Sequence, residues 1–593
     1  MRTVIITLSV ILAAYMLVIV AVLEKHDDQP RFHLEIPIPA EADTAKCGPG
    51  NYGGRVLIGA LGDPKTLNPV VASETSSRDI YGRLFSSLVS MDNVTQEIVP
   101  SLAYRWEFSE DNLSLTFYMR RGVVWSDGVP VTAYDMEFSY DAVYDPRVKN
   151  SLSDIMRVNG EPFVGAAVDS FTFRVTIPST FAPFLMWAGG AVPILPRHIL
   201  EPELESGNFD SAYNVSWPAE KLIVCGPYLL EKYESGVKAV LRRNPAYWRV
   251  DRAGIRLPYL ERIIHVNVRS LETMLLMFRT GQLDMLDTIK QADVAILERD
   301  AGKYDYRLVN LGSSMGQNFF WFNLNPGKGA DGKPLVAPHK LAWFSDVRWR
   351  KAMAHAVDRE GMTRTVFNGM AQPQYGPETP ANRYWYNPEL VRYDYNLDTA
   401  RAYLEDMGLI DRDGDGVRED VNGNPVEFTM VTNTGNDQRE LMGNIIKDDL
   451  AKIGVEMNFS PIEFNTLVVK IDDELDYECC LLGLTSGDPD PSSGMSVWLS
   501  GGRMHQWHPN QPEPATSWEA RIDELMNLQM TTLDRDKRKE YYDEVQFIIS
   551  DMVPFIYLVI PEVFVAVSNK YEHLVPTIMN HRLLWNIEEV WQR

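Results

Sequence analysis

The chain has 593 residues, too many for one compact core, and so requires two or three domains. Hydrophobic residues are 45% and charged residues 23%, a globular balance that excludes a largely disordered protein. A formal charge of -24 excludes nucleic acid as a partner, since that needs clustered Lys and Arg, and disfavours a grip on anionic lipid.

Arg2 precedes a run from Thr3 to Leu23 almost free of polar residues, and Glu24-Lys25-His26-Asp27-Asp28 follows it. Such a run spans a bilayer at about 1.5 Å per helical residue. It is longer than the apolar core of a cleavable signal, and Ala40-Glu41-Ala42 lies too far downstream to be its cleavage site. An uncleaved N-terminal transmembrane helix over 1–23 is the favoured reading, with a signal peptide as the alternative. Arg2 before the run and acidic residues after it place the body outside the cytoplasm, on the periplasmic or extracellular face of the membrane. Residues 24–53, rich in Pro, Glu, Asp and Ala, read as a tether.

From Gly54 the chain alternates strands, turns and helices. Arg55 to Ala60 is a strand, followed by the turn-rich stretch Gly62 to Pro69. Leu115 to Met119 predicts a strand, Arg121-Gly122 a turn, Val123 to Trp125 a second strand and Ser126-Asp127-Gly128 another turn. Thr132 then caps a helix from Ala133. Asn244-Pro245 predicts a turn whose Tyr247 and Trp248 cover an edge. Asp346 caps a further helix, and Asp358 with Arg359 reads as a local ion pair. Cys47, Cys225, Cys479 and Cys480 form no Cys-x-x-Cys. One disulfide, for instance Cys47 to Cys225, stays open, while Cys479 and Cys480 read as buried thiols in an apolar strand.

Several of these stretches carry a resemblance. Gly62-Asp-Pro-Lys-Thr-Leu-Asn-Pro69, Ser101-Leu102-Ala103 with Trp106, and the segment from Leu115 to Asp135 come first. Leu195-Pro196-Arg197-His198, Gly226-Pro227-Tyr228 with Asn244-Pro245-Ala246-Tyr247-Trp248, Gly281-Gln282-Leu283-Asp284 and Asp346-Val347-Arg348 follow in order. Together they resemble the extracellular solute-binding proteins of family 5, the dipeptide-, oligopeptide- and nickel-binding components of ABC importers. The resemblance implies an α/β two-lobe periplasmic-binding-protein fold of the large type with an extra subdomain. The first lobe would span 54–312 with the inserted subdomain, the second 313–565, and 566–593 would return to the first. It also implies capture of an oligopeptide in an interlobe cleft, delivery to ABC permease subunits, and no enzymatic activity. Oligosaccharide or nickel-chelate binding, or a membrane-anchored sensor without transport, are the alternatives. Thr44-Ala45-Lys46-Cys47 does not match the lipobox of many relatives, because Lys46 stands where a small residue is required.

Candidate ligand contacts cluster in Gly483 to Ser493, where an apolar strand ends in small, turn-forming residues. In peptide-binding relatives an aspartate of this loop pairs with the ligand's α-amino group. Aligning on Asp490-Pro491 puts Gly487 at that place, so either Asp488 substitutes, with Thr485 and Asp490 beside it, or amine recognition is lost. Trp385 and Tyr386, and less strongly Trp498 and Trp507, are candidate aromatic walls. Asp411, Asp413, Asp415 and Glu419 occupy positions 1, 3, 5 and 9 of an EF-hand-like loop, but position 12 is Asn422. A bound calcium there would be structural; no other cofactor is expected. His505-x-x-His508 offers two metal-type ligands without an obvious third. No phosphate-binding, hydrolase or zinc-protease motif is present in the sequence.

Overall fold

The computed structural model describes residues 37–593, apart from 73, 151, 159 and 485–488. The expected anchor over 1–23 lies outside the described residues, among which no helix is long and apolar enough to cross a membrane.

Two sheets organise the fold, one in each lobe. The first runs in the order Tyr228–Glu234, Lys238–Arg243, Arg262–Asn267, Arg55–Ala60, Met285–Leu286, Val559–Ser568 and Tyr306–Ser313, with Ala371–Pro373 added beside Val559–Ser568. Arg55–Ala60 is central and pairs in parallel with Arg262–Asn267 and with Met285. Its residues Val56 to Ile58 are buried, as expected of a strand covered on both faces. The second sheet runs Glu456–Ile462, Glu427–Asn433, Cys479–Leu482, Phe319–Phe322 and Ile556–Tyr557. Its first three strands are parallel, and helix Asp437–Ala451 covers it with Met442, Ile446 and Leu450, one helical stripe.

The extra subdomain is an antiparallel sheet in the order Ala103–Phe108, Ser114–Met119, Thr172–Thr176 and Val164–Asp169. Leu115, Phe117 and Met119 alternate into its core. The expected hairpin between 115–119 and 123–125 does not form. Ser114–Met119 is already paired on both sides, and the second arm reduces to a bridge between Val124 and Pro130. The turns themselves form, with Gly122 and Gly128 at positive φ. Helix Ala133–Tyr144 starts as expected after Thr132, whose backbone N–H donates to Asp135 at 2.8 Å.

Two crossings join the lobes side by side. One runs from Tyr306–Ser313 to Phe319–Phe322, and the other from Ile556–Tyr557 into Val559–Ser568. They are bonded to one another, Ser314 N to Pro561 O at 2.9 Å and Leu558 N to Asn318 O at 3.0 Å. Arg359 braces the second crossing. Its guanidinium donates to the carbonyls of Tyr557, Ala354 and Tyr393, at 2.7, 2.9 and 3.2 Å. The expected Asp358–Arg359 ion pair is therefore absent: Asp358 instead caps the helix Arg359–Val366 by accepting from Gly361 N.

Other sequence signals acquire physical reasons. Asn244 Nδ2 donates to Gly226 O at 2.8 Å, and Asn244 N donates to Pro227 O, so the two matching motifs form one corner. Asp284 accepts from Leu57 N and the Tyr571 hydroxyl and pairs with Lys570, stitching the C-terminal segment to the central strand. The end of the expected tether is packed rather than free. Ala45 and Cys47 are buried, and Asp43 bridges Arg120 and Arg249 at 3.0 and 2.9 Å. All four cysteines are free and buried; burial pushes Cys47 up to about 11 and Cys225 up to about 12.

Candidate functional site

Both sheets turn the carboxyl ends of their parallel strands toward loops that form candidate cleft walls, the usual ligand position in open α/β sheets. In the first lobe Asp63 follows Arg55–Ala60. Burial would raise its carboxyl, but bonds from Tyr233, Gly236, Ser235 and Asn267 outweigh that and hold it below the usual carboxylate range. Such a residue is rigid and spoken for. The lobes touch at separate places. Gln438 Nε2 donates to Gln291 Oε1 at 2.9 Å beside the crossings, while Ala182 N of the subdomain donates to Met530 O at 2.7 Å.

The loop after Cys479–Leu482 begins tightly. Gln317 N donates to Leu484 O at 2.9 Å, and a Cβ at Gly483 would stand 2.3 Å from Gln317 O, so only glycine fits. Thr485 and Asp488, two of the expected ligand residues, lie outside the described residues. Asp490 is placed, and its carboxylate works within the protein. It caps the short turn Pro491–Gly494 through Ser492 N and pairs with Arg538 at 2.7 Å. Arg538 also donates to Gln529 and lies 5.0 Å from the Trp385 ring.

Glu378 holds the other side of this loop. It accepts from Tyr542 at 2.7 Å and from Asn382 at 2.8 Å, and Asn382 in turn donates to Pro489 O. Burial pushes the Glu378 carboxyl up to about 7, against these two donors. Of the aromatic candidates, Trp385 and Trp498 are buried in the second lobe's core with Phe319, Trp321 and Tyr557. Tyr386 is half-buried. Trp507 is fully buried, its indole N–H on Glu519 at 3.0 Å.

The structure brings Asp411, Asp413, Asp415 and Glu419 together, with one carboxylate oxygen of each within 4.8 Å of the others. The loop's own amides already engage them: Gly414 and Gly416 donate to Asp411, Asp415 N to Asp413, and Arg412 N to Glu419. Among the described residues, no cluster of three metal-type ligands includes His505 or His508. His505 Nδ1 bonds Val497 O and its Nε2 faces Glu519 at 3.6 Å.

Sequence reasoning missed Glu378, Arg538 and Arg439, each of which borders the loop through a partner far away in the chain. Arg439 alone left a local trace, following the Asn436 cap by three residues at the start of a helix.

Known proteins share this architecture. The model of the bacterial extracellular solute-binding proteins, family 5 Middle, matches residues 97–506. A probable ABC transporter-binding protein of Deinococcus radiodurans is 28% identical over 554 residues, covering 90% of this chain and 91% of the relative. The oligopeptide-binding protein AppA of Bacillus subtilis, solved with a nonapeptide, superposes with a TM-score of 0.71 at 22% identity, covering 92% of this chain and 99% of that one. The periplasmic binding protein MelB of Agrobacterium fabrum, solved with stachyose, gives 0.75 at 21% identity, covering 94% and 88%. The match spans most of the chain, and with the two sheets and paired crossings it shows that this protein belongs to the bacterial extracellular solute-binding proteins, family 5.

Proposed function

We propose that this protein is the substrate-binding receptor of an ABC importer, capturing oligopeptides between its lobes and handing them to permease subunits. The observation that supports this most is the pair of hydrogen-bonded crossings below the two sheets' carboxyl edges. Two short strands can bend together, so the lobes close over a ligand without breaking either core. The second lobe then runs from the crossing at 314–318 to that at 558, with the return to the first lobe at Val559. Asp488 takes the ligand's ammonium, Thr485 and Tyr386 line the cleft, and Asp490, Trp385 and Trp498 support that wall from behind. Residues 1–23 anchor the receptor at the membrane's outer face. Its work is binding, not catalysis.

The test is a thermal-shift panel on the protein with free-amine tetrapeptides, N-acetylated tetrapeptides, neutral oligosaccharides and nickel–histidine. Ligand at 100 times its Kd stabilises the native state by about 2.7 kcal/mol, a readable shift. The free-amine peptides raise the midpoint, and acetylation or Asp488→Ala removes the effect. A response to sugars alone favours the rival reading, for which the stachyose complex of MelB is the precedent.

The four clustered carboxylates support a structural calcium as a second, local reading. Added calcium then raises the midpoint of the wild type but not of Asp413→Ala; equal midpoints with calcium and with chelator would remove it.

A further inference from the structure

The inserted subdomain reaches beyond the first lobe. Ala182, in the turn after strand Thr172–Thr176, donates its N–H to Met530 O at 2.7 Å. Met530 lies in the last turn of helix Ser517–Thr531, whose Ile522, Leu525 and Met526 belong to the second lobe's core. Four residues beyond Met526 and on the same side of the helix, Met530 packs half-buried against the first lobe's core instead. A second contact comes from the hairpin of Val89–Asp92 and Glu97–Pro100. Gln96 at its tip donates to Ala381 O of the second lobe at 3.4 Å. It does so from a φ of 61°, where glycine is the usual turn residue, so an amide side chain stands where backbone sterics favour none.

Each contact lies one residue from a side chain that holds the loop after Cys479–Leu482. Beside Met530, Gln529 is fully buried; it donates to Ser492 Oγ at 3.3 Å and accepts from Arg538, the partner of Asp490. Beside Ala381, Asn382 donates to Pro489 O at 3.0 Å. Neither contact uses a residue of the crossings at 314–318 and 558. A swing about those crossings therefore parts both contacts without opening either core. One contact rests on a single amide hydrogen bond, the other on one backbone bond and one methionine side chain.

We infer that the inserted subdomain and the 89–100 hairpin are a latch, which clasps the second lobe at Met530 and Ala381 when the cleft is shut. The loop after Cys479–Leu482 is bolted to both clasp points through Gln529 and Asn382, so its position and the state of the latch are coupled. The latch acts on the fraction of protein that is closed, not on the ligand's own contacts. Its strength therefore scales affinity for every ligand by one common factor and leaves selectivity alone. That effect on affinity rests on the receptor reading proposed above; the clasp between the lobes does not.

Mild oxidation of ligand-free protein carrying Ala182→Cys and Met530→Cys tests the clasp, since residues joined by a backbone hydrogen bond stand within disulfide reach. The cross-link forms without ligand and faster with tetra-alanine; no cross-link in either state overturns the inference. Calorimetric titration with tetra-alanine and with trilysine tests the effect on affinity. Met530→Ser weakens both peptides by the same factor, about tenfold, while Met530→Leu keeps the apolar cover and wild-type affinity. Gln96→Ala, at an exposed tip that the fold does not need, weakens both by one smaller factor. Unequal factors for the two peptides, or wild-type affinity in Met530→Ser, overturn the inference. If the wild type binds neither peptide but the cross-link forms, the peptide reading falls and the latch stands.

Discussion

Arg359→Met lowers the unfolding free energy by about 3–5 kcal/mol, the range for breaking a buried charged network. The side chain is 4% exposed and its donors satisfy three carbonyls from three separate segments. Methionine fills much of the same volume but leaves Tyr557, Ala354 and Tyr393 with unpaired oxygens, each worth about 1–3 kcal/mol when buried. Burial pushes the guanidinium down to about 10, so it still carries its charge at neutral pH. Arg359→Lys does not rescue, because one ammonium cannot reproduce a three-way fork. Urea unfolding followed by tryptophan fluorescence reads the effect; a loss under about 1 kcal/mol would show that the crossing does not depend on this brace.

Glu519→Gln has the next largest effect, and it depends on pH. Burial would raise this carboxyl, but the His505 imidazole and bonds from Trp507 and Thr516 outweigh it and bring it to about 2. A carboxylate whose folded value lies below its unfolded value contributes stability above about pH 4.5 and loses it as pH falls toward 2. The gap between wild type and Glu519→Gln is therefore about 3 kcal/mol at pH 7 and closes by about pH 2. Parallel unfolding curves across that range measure it. A gap that stays constant would mean that Glu519 acts through shape rather than charge.

Local signals in the sequence translated well wherever the chemistry was local. Thr132 with Asp135, Asp346 with Arg348, and the glycine turns at 122 and 128 each act within a few residues. The corner of Gly226 and Asn244 was visible as two motifs, though not as one contact. What stayed hidden depends on partners far apart in the chain. Asp490 reads as an exposed loop acid until Arg538, on a helix 48 residues later, is folded against it. Trp385 and Trp498 sit in polar, turn-rich stretches that suggest a surface, yet both lie among Phe319, Trp321 and Phe555. The stretch 38–53 looked like a tether because it is rich in Pro, Glu, Asp and Ala, while Ala45 and Cys47 are buried in it and Asp43 meets two distant arginines. Arg439 likewise meets Asn318, 121 residues earlier, only in the fold.

The proposed receptor carries peptides in its cleft. Native mass spectrometry of the protein, purified without refolding in mild detergent, tests this. The expected spectrum shows the 67.4 kDa chain with an added mass that collisional activation releases as short peptides, readable by sequence. Release of an oligosaccharide or a metal chelate instead, from protein that gives no thermal response to any peptide, would contradict the claim.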